Sequence, residues 1–185
     1  MAVGILALQG AFAEHAAVLD RLGVPHFEIR QKRDLEQPMD RLILPGGEST
    51  VMRKLLGELD LFEPLRQRIA DGMPVFGTCA GLILLAKQVD GGAPCFATMD
   101  IAVKRNAYGR QLGSFRTKGQ VGGIDGEVPL TFIRAPRIVE VHGDTEALAE
   151  VDGRIVAARQ GNQLGVTFHP ELDEDTRLHE LFLQM

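Results

Sequence analysis

Residues 74–86 read Pro74-Val75-Phe76-Gly77-Thr78-Cys79-Ala80-Gly81-Leu82-Ile83-Leu84-Leu85-Ala86. A short apolar run leads into a glycine-flanked cysteine, and a second apolar run leads out of it. The order strand, sharp turn, helix confines the fold, because such a turn lifts its central side chain above the edge of an α/β sheet. Glycine is needed on both sides, since strand and helix pack too closely around the turn to leave room for a Cβ. The order also constrains chemistry. G-x-C-x-G is the cysteine form of the G-x-S-x-G elbow that presents a nucleophile, and the start of a helix carries partial positive charge that favours a thiolate. Alone the pentapeptide is a weak signal, because buried cysteines are common and usually inert.

Two further segments strengthen it. Gly165-Val166-Thr167-Phe168-His169-Pro170-Glu171 reads as a strand ending in His-Pro-Glu. Pro170 biases His169 toward extended backbone, where side chains two apart share a side. His169 and Glu171 are therefore expected to address one point, Glu171 orienting the imidazole and His169 taking the proton from Cys79. Arg41-Leu42-Ile43-Leu44 reads as a short buried strand running into Pro45-Gly46-Gly47-Glu48-Ser49-Thr50. Paired glycines after a strand let backbone N–H groups face a ligand, so Gly47 and the N–H of Ala80 are the candidate oxyanion donors. Ser49 or Thr50 is expected to cap a helix over 51–56.

Composition narrows the class. A chain of 185 residues supports one sizeable core, and 45% hydrophobic with 24% charged residues is the balance of an ordinary globular domain, so one domain over 1–185 is expected. A net charge of −5 with no Lys/Arg run argues against a nucleic-acid surface. Two cysteines make no disulfide framework, and Cys95, in the loop composition Gly91-Gly92-Ala93-Pro94-Cys95, reads as a bystander. Met1-Ala2-Val3-Gly4-Ile5 has no basic leader or cleavage pattern and no stretch is long enough to cross a bilayer, so a cytoplasmic protein is expected. No His/Cys cluster has metal-ligand spacing, so no metal and no cofactor is expected.

Along the chain, strands and helices alternate. Residues 3–9 form a nearly continuous apolar run, the mark of a strand covered on both faces. Gly10 opens a helix with Phe12, Ala16 and Leu19 on one face, closed by Gly23. Short strands are expected at 26–29, 41–44 and 75–76, and helices at 61–70 and 174–183. Residues 130–133, 139–141, 155–158 and 164–168 read as short strands separated by turns. The expectation is an α/β fold: three layers, a mostly parallel central sheet with helices on both faces, and a mixed or antiparallel extension.

These segments resemble class I (triad-type) glutamine amidotransferase domains, whose fold is flavodoxin-like. Within that class the chain is similar to the glutaminase subunits of pyridoxal 5′-phosphate synthase. The closer resemblance rests on Leu8-Gln9-Gly10-Ala11-Phe12, Leu44-Pro45-Gly46-Gly47-Glu48-Ser49-Thr50, the cysteine elbow, Arg105-Asn106-Ala107-Tyr108-Gly109-Arg110-Gln111 and Phe132-Ile133-Arg134-Ala135-Pro136. The segments at 91–98 and 117–126 carry no motif of the family.

The resemblance implies hydrolysis of L-glutamine to L-glutamate and ammonia, with ammonia passed to the synthase (lyase) subunit in a hetero-oligomeric complex. It implies Cys79 as nucleophile with His169 and Glu171, and a glutamine site lined by Gly46, Gly47, Glu48, Arg105, Ile133 and Arg134. Two rival readings stay open on the residues alone. One is a glutaminase subunit for another acceptor enzyme, such as that of histidine biosynthesis. The other is a non-catalytic member of the fold using Cys79 as a thiol sensor, which would need access and a low pKa but no triad.

Overall fold

The computed structural model describes residues 1–106 and 114–185. In chain order these form β1 (Val3–Leu6), α1 (Phe12–Arg21), β2 (His26–Ile29), β3 (Arg41–Leu44), α2 (Ser49–Glu58), α3 (Phe62–Ala70), β4 (Val75–Thr78) and α4 (Ala80–Leu85). There follow β5 (Ala86–Asp90), β6 (Met99–Lys104), β7 (Ser114–Gln120), β8 (Glu127–Ile133), β9 (Arg137–Val141), β10 (Glu146–Val151), β11 (Arg154–Gln160), β12 (Gln163–Val166) and α5 (Arg177–Leu183). Short 3-10 turns occupy Lys32–Glu36 and Pro170–Leu172.

One sheet carries the fold, in the order β2-β1-β3-β4-β12-β11-β9-β6-β5, with β10 paired to β11. From β2 to β12 neighbouring strands are parallel. From β12 through β11 and β9 to β6 they are antiparallel, and β5 returns parallel to β6. The expected parallel sheet with a mixed extension is therefore what forms.

The pleat sorts the parallel strands onto two cores. Leu6, Leu42, Leu44 and Val75 face α2, α3 and α4, packing with Met52, Leu56, Leu65 and Leu82. Val3, Ile5, Ile43, Phe76, Leu164 and Val166 face the other way, against Leu19 of α1, Leu178 and Phe182 of α5, and Val128, Leu130 and Phe132 of β8. A strand apolar at every position is what burial on both faces demands.

Some boundaries differ from the sequence reading for identifiable reasons. The apolar run at 3–9 stops being strand after Leu6, because the chain bends toward the loop after β3, where Ala11 N–H donates to Gly46 O at 2.9 Å. The apolar run at 82–86 ends as helix at Leu85 because its last carbonyls are taken: Phe96 N–H donates to Leu84 O and Thr98 N–H to Leu85 O. The chain then enters β5, which together with β6, β7 and β10 lies outside the strands expected from the sequence. β5 and β7 are mostly polar, with the partner strand rather than side-chain alternation holding them.

Candidate active site

Cys79 stands between β4 and α4 at φ 49° and ψ −104°, a conformation that L-residues avoid. Its N–H donates to Val166 O at 2.9 Å, which ties the elbow to the neighbouring strand. The flanking glycines are there for contact. A Cβ on Gly77 would lie 2.7 Å from the carbonyl of Gly81, and one on Gly81 would lie 1.9 Å from Leu44 O of β3. The sulfur is thereby raised at the C-terminal edge of the parallel strands, where α/β sheets bind ligands.

His169 follows β12, held by its N–H to Thr131 O at 2.8 Å. Its Nδ1 lies 2.6 Å from Glu171 Oε1, and both side chains are buried. The pair meets by a different route from the one read in the sequence. Glu171 sits in the 3-10 turn Pro170–Leu172 that begins directly after His169, so a tight turn and not strand alternation brings the carboxylate back to the imidazole. Proline at the first position of the turn fits, because its fixed φ suits a helical start. Burial opposes charge on His169, but hydrogen bonds with Cys79 and Glu171 and the attraction of both outweigh it and push its pKa up to about 10.

The loop 45–48 closes the third side. A Cβ on Gly46 would lie 2.4 Å from His169 Cε1, so the imidazole packs directly on bare backbone. Glu48 N–H donates to Gln9 Oε1 at 2.7 Å, and a Cβ on Gly47 would strike the same oxygen at 2.4 Å. Ser49 and Thr50 do not cap α2. Glu48 holds the cap position without a side-chain cap, Ser49 is the first helical residue, and it is Gln9 that takes up the Glu48 N–H. Gln9 is the residue that sequence reasoning left out of the site. Its signal was a lone amide ending the apolar run 3–9, directly before Gly10.

Cys79, Ala80 and His169 line a cavity of about 340 Å³ together with Gly47, Glu48, Arg105, Ile133 and Arg134. Gln9, Ser49, Ile83, Asn106 and Pro136 complete its described wall. Gly46 and Glu171 lie behind that wall, under and beside the imidazole. Arg105 donates to Glu48 Oε1 at 3.3 Å and to Gly91 O at 3.1 Å, so one cation and one anion meet at the cavity. Arg134 takes a positive φ of 45° next to the half-exposed Ile133. Of the segment 105–111, Arg105 and Asn106 reach the cavity, while Ala107, Tyr108, Gly109, Arg110 and Gln111 lie outside the described residues. A larger open depression of about 760 Å³ between 120–126 and β10 offers no cysteine, serine or histidine.

Cys95 is buried near α2, and burial, partly opposed by the charge of Arg53, pushes its thiol up to about 11. Such a thiol stays protonated and unreactive at neutral pH. Among the described residues no group of three His, Cys, Asp or Glu side chains is placed to hold a metal ion, and no helix is long and apolar enough to cross a membrane.

Residues 5–185 match the model of the SNO glutamine amidotransferase family. The chain belongs to that family. It is 60% identical, over all of its length and 97% of the relative's, to pyridoxal 5′-phosphate synthase subunit PdxT of Methanocorpusculum labreanum. It is 54% identical to the subunit of the same name from Bifidobacterium longum, covering 98% and 99% of the two chains. A crystal structure of a glutamine amidotransferase superposes with a TM-score of 0.92 at 44% identity, over 98% of this chain and 97% of that one. A glutamine amidotransferase from Thermotoga maritima, 15% identical with a TM-score of 0.67, shares the fold over all of this chain and 83% of its own. Across such neighbours the fold outlasts the sequence.

Proposed function

We propose that this chain is the glutaminase subunit of pyridoxal 5′-phosphate synthase, hydrolysing L-glutamine to L-glutamate and ammonia. The observation that carries the chemistry is the strained Cys79 beside the His169–Glu171 pair on a cavity that Gly47 and Ala80 also line. Full-length likeness to proteins named as that subunit supports the acceptor, and weighs against an acceptor in histidine biosynthesis.

In this mechanism His169 takes the proton of Cys79, and the contact with Glu171 favours the resulting imidazolium. The sulfur attacks the side-chain amide carbon, and the N–H groups of Gly47 and Ala80 receive the oxyanion. His169 gives its proton to the departing nitrogen, releasing ammonia and leaving a thioester. A water, deprotonated by the now neutral His169, attacks the thioester, and glutamate and the starting pair return. Glu48 matches the α-amino group of the substrate, and Arg105 or Arg134 its α-carboxylate. An anion and a cation already adjacent suit a zwitterion, whose two charges replace theirs. The synthase subunit receives the ammonia in a hetero-oligomeric complex, and we place both in the cytoplasm.

The test is glutamate release from L-glutamine by the chain with and without the synthase subunit. Hydrolysis that rises with the partner and vanishes in Cys79→Ala is expected. Hydrolysis indifferent to that partner would redirect the acceptor, and none under either condition would overturn the reading.

A further inference from the structure

On the side of Glu171 away from the cavity, the core contains three fully buried polar side chains: His15 of α1, Thr78 of β4 and His179 of α5. Phe76 meets both imidazoles edge-on, so they are enclosed by aromatic packing. None of the three takes part in the proposed glutaminase steps. Polar groups persist in such a place only when they satisfy one another or something charged.

The contacts decide which proton sits where. His15 Nδ1 lies 2.9 Å from His179 Nε2, and His15 Nε2 lies 3.1 Å from Thr78 Oγ1. The same Nε2 faces Glu171 Oε2 at 3.6 Å. That oxygen is buried and has no hydrogen bond among the described residues, while its twin, Oε1, is taken by His169. Two proton arrangements satisfy the pair of imidazoles. If His15 carried its proton on Nδ1, a lone pair would point at the carboxylate, and an N–H at His179 Nδ1 would be buried without an acceptor. With protons on both Nε2 atoms, His179 donates to His15, and His15 donates to Thr78 Oγ1 with its N–H also turned toward Glu171 Oε2, 3.6 Å away. Only the second turns an N–H toward a buried negative oxygen, and an unmade bond to a charged group is the costlier fault.

We propose that His15, backed by His179, is a positioning residue for the triad: its Nε2–H, bonded to Thr78 and 3.6 Å from the second oxygen of Glu171, attracts that oxygen and so aims the first at His169. Burial, then the nearby His179 and His169, hold His15 far below its ordinary pKa, and burial, then Arg21, lower that of His179 to about 3. The donor is therefore neutral. It fixes the carboxylate without cancelling the charge that keeps the proton on His169. The groups facing His15 are Thr78 and Glu171, with His169 beyond them, and His179 from α5, on which Arg21 of α1 acts.

The kinetic part of this inference rests on the glutaminase reading, so its test has one arm that needs no activity. Nitrogen-15 NMR of the histidines in the intact chain from pH 5 to 11 should show His15 and His179 neutral and protonated on Nε2. A His15 that is charged, or protonated on Nδ1, overturns the proposal. In the same spectra His169 should titrate lower in His15→Leu than in the parent, and return upward in His15→Gln, whose amide N–H stands near the imidazole Nε2 position. With the synthase subunit present, His15→Leu should lose ~10-fold or more in kcat with little change in KM, since misaimed catalytic groups cost rate and not binding. Its alkaline limb should move to lower pH, and His15→Gln should recover both. A folded His15→Leu with unchanged kcat and His169 titration overturns the proposal, as does a loss of kcat that leaves that titration in place. Absence of glutamine hydrolysis in the parent complex strikes at the glutaminase reading instead, and the NMR result then decides the carboxylate contact by itself.

Discussion

Cys79 occupies a backbone conformation that costs about 1–3 kcal/mol for a non-glycine residue, and the sheet edge around it enforces that cost. Cys79→Gly removes the strain, and its expected outcome is a chain more stable by ~1 kcal/mol in denaturant titration, with no glutamate release. Lower stability in that variant would show that the sulfur's packing outweighs the strain. His169 makes a second, pH-dependent contribution. Its pKa is raised in the folded chain to about 10, so its stabilisation is complete below the unfolded value near 6.5 and disappears as pH rises through about 10. Urea unfolding of the parent should therefore weaken steadily across that window. In Glu171→Gln, where the imidazolium loses its anionic partner, the decline should be shallower. The comparison cancels Cys95, which titrates in the same region and is untouched by the substitution.

Elements meet around the site through backbone, which is why its glycines cannot be exchanged. α4 is pressed so closely on β3 at Gly81 that a methyl group would overlap Leu44 O. Gly81→Ala should cost more than ~3 kcal/mol, lowering Tm by roughly 6–12 °C for a chain of this size. Gly10 has φ +92°, and a Cβ there would lie 1.9 Å from Gly46 O. Gly10→Ala should push the 45–48 loop out of place and lower kcat by a factor of ~10² if one oxyanion donor is misplaced. Near-normal kcat would mean that the loop does not supply the donor. At this scale the sequence was legible wherever a glycine sat between apolar runs, as at 77–81 and 46–47. It misled where a long-range contact took over: helix α4 stops because the segment 96–98 binds its last carbonyls, and α2 starts on a Gln9 side chain 39 positions away.

The main sheet lies between two cores, with the β7–β8 pair as a second small sheet, and the site lies where both cores are anchored. Phe76 of β4 packs on Phe182 of α5 in one core, while its neighbours Val75 and Gly77 face the other. Truncating the fully buried Phe182 to Ala should cost ~3–5 kcal/mol, read as a Tm lowered by roughly 6–20 °C, and should loosen His179 with it. The parallel sheet and the elbow with its cysteine were determined by sequence alone, because periodicity, glycine placement and the residue types of the elbow are local properties. The pairing of His169 with Glu171 was also foreseeable, since two residues with a single position between them stay close whatever the backbone does. Tertiary structure alone decided that a 3-10 turn makes that pairing, that Gln9 takes the Glu48 amide, and that His15 and His179 stand behind the carboxylate. His15 and His179 are 164 positions apart, and isolated histidines on two amphipathic helices carry no mark of a partner. Only folding, which buries both and removes water as an alternative partner, makes their contact obligatory.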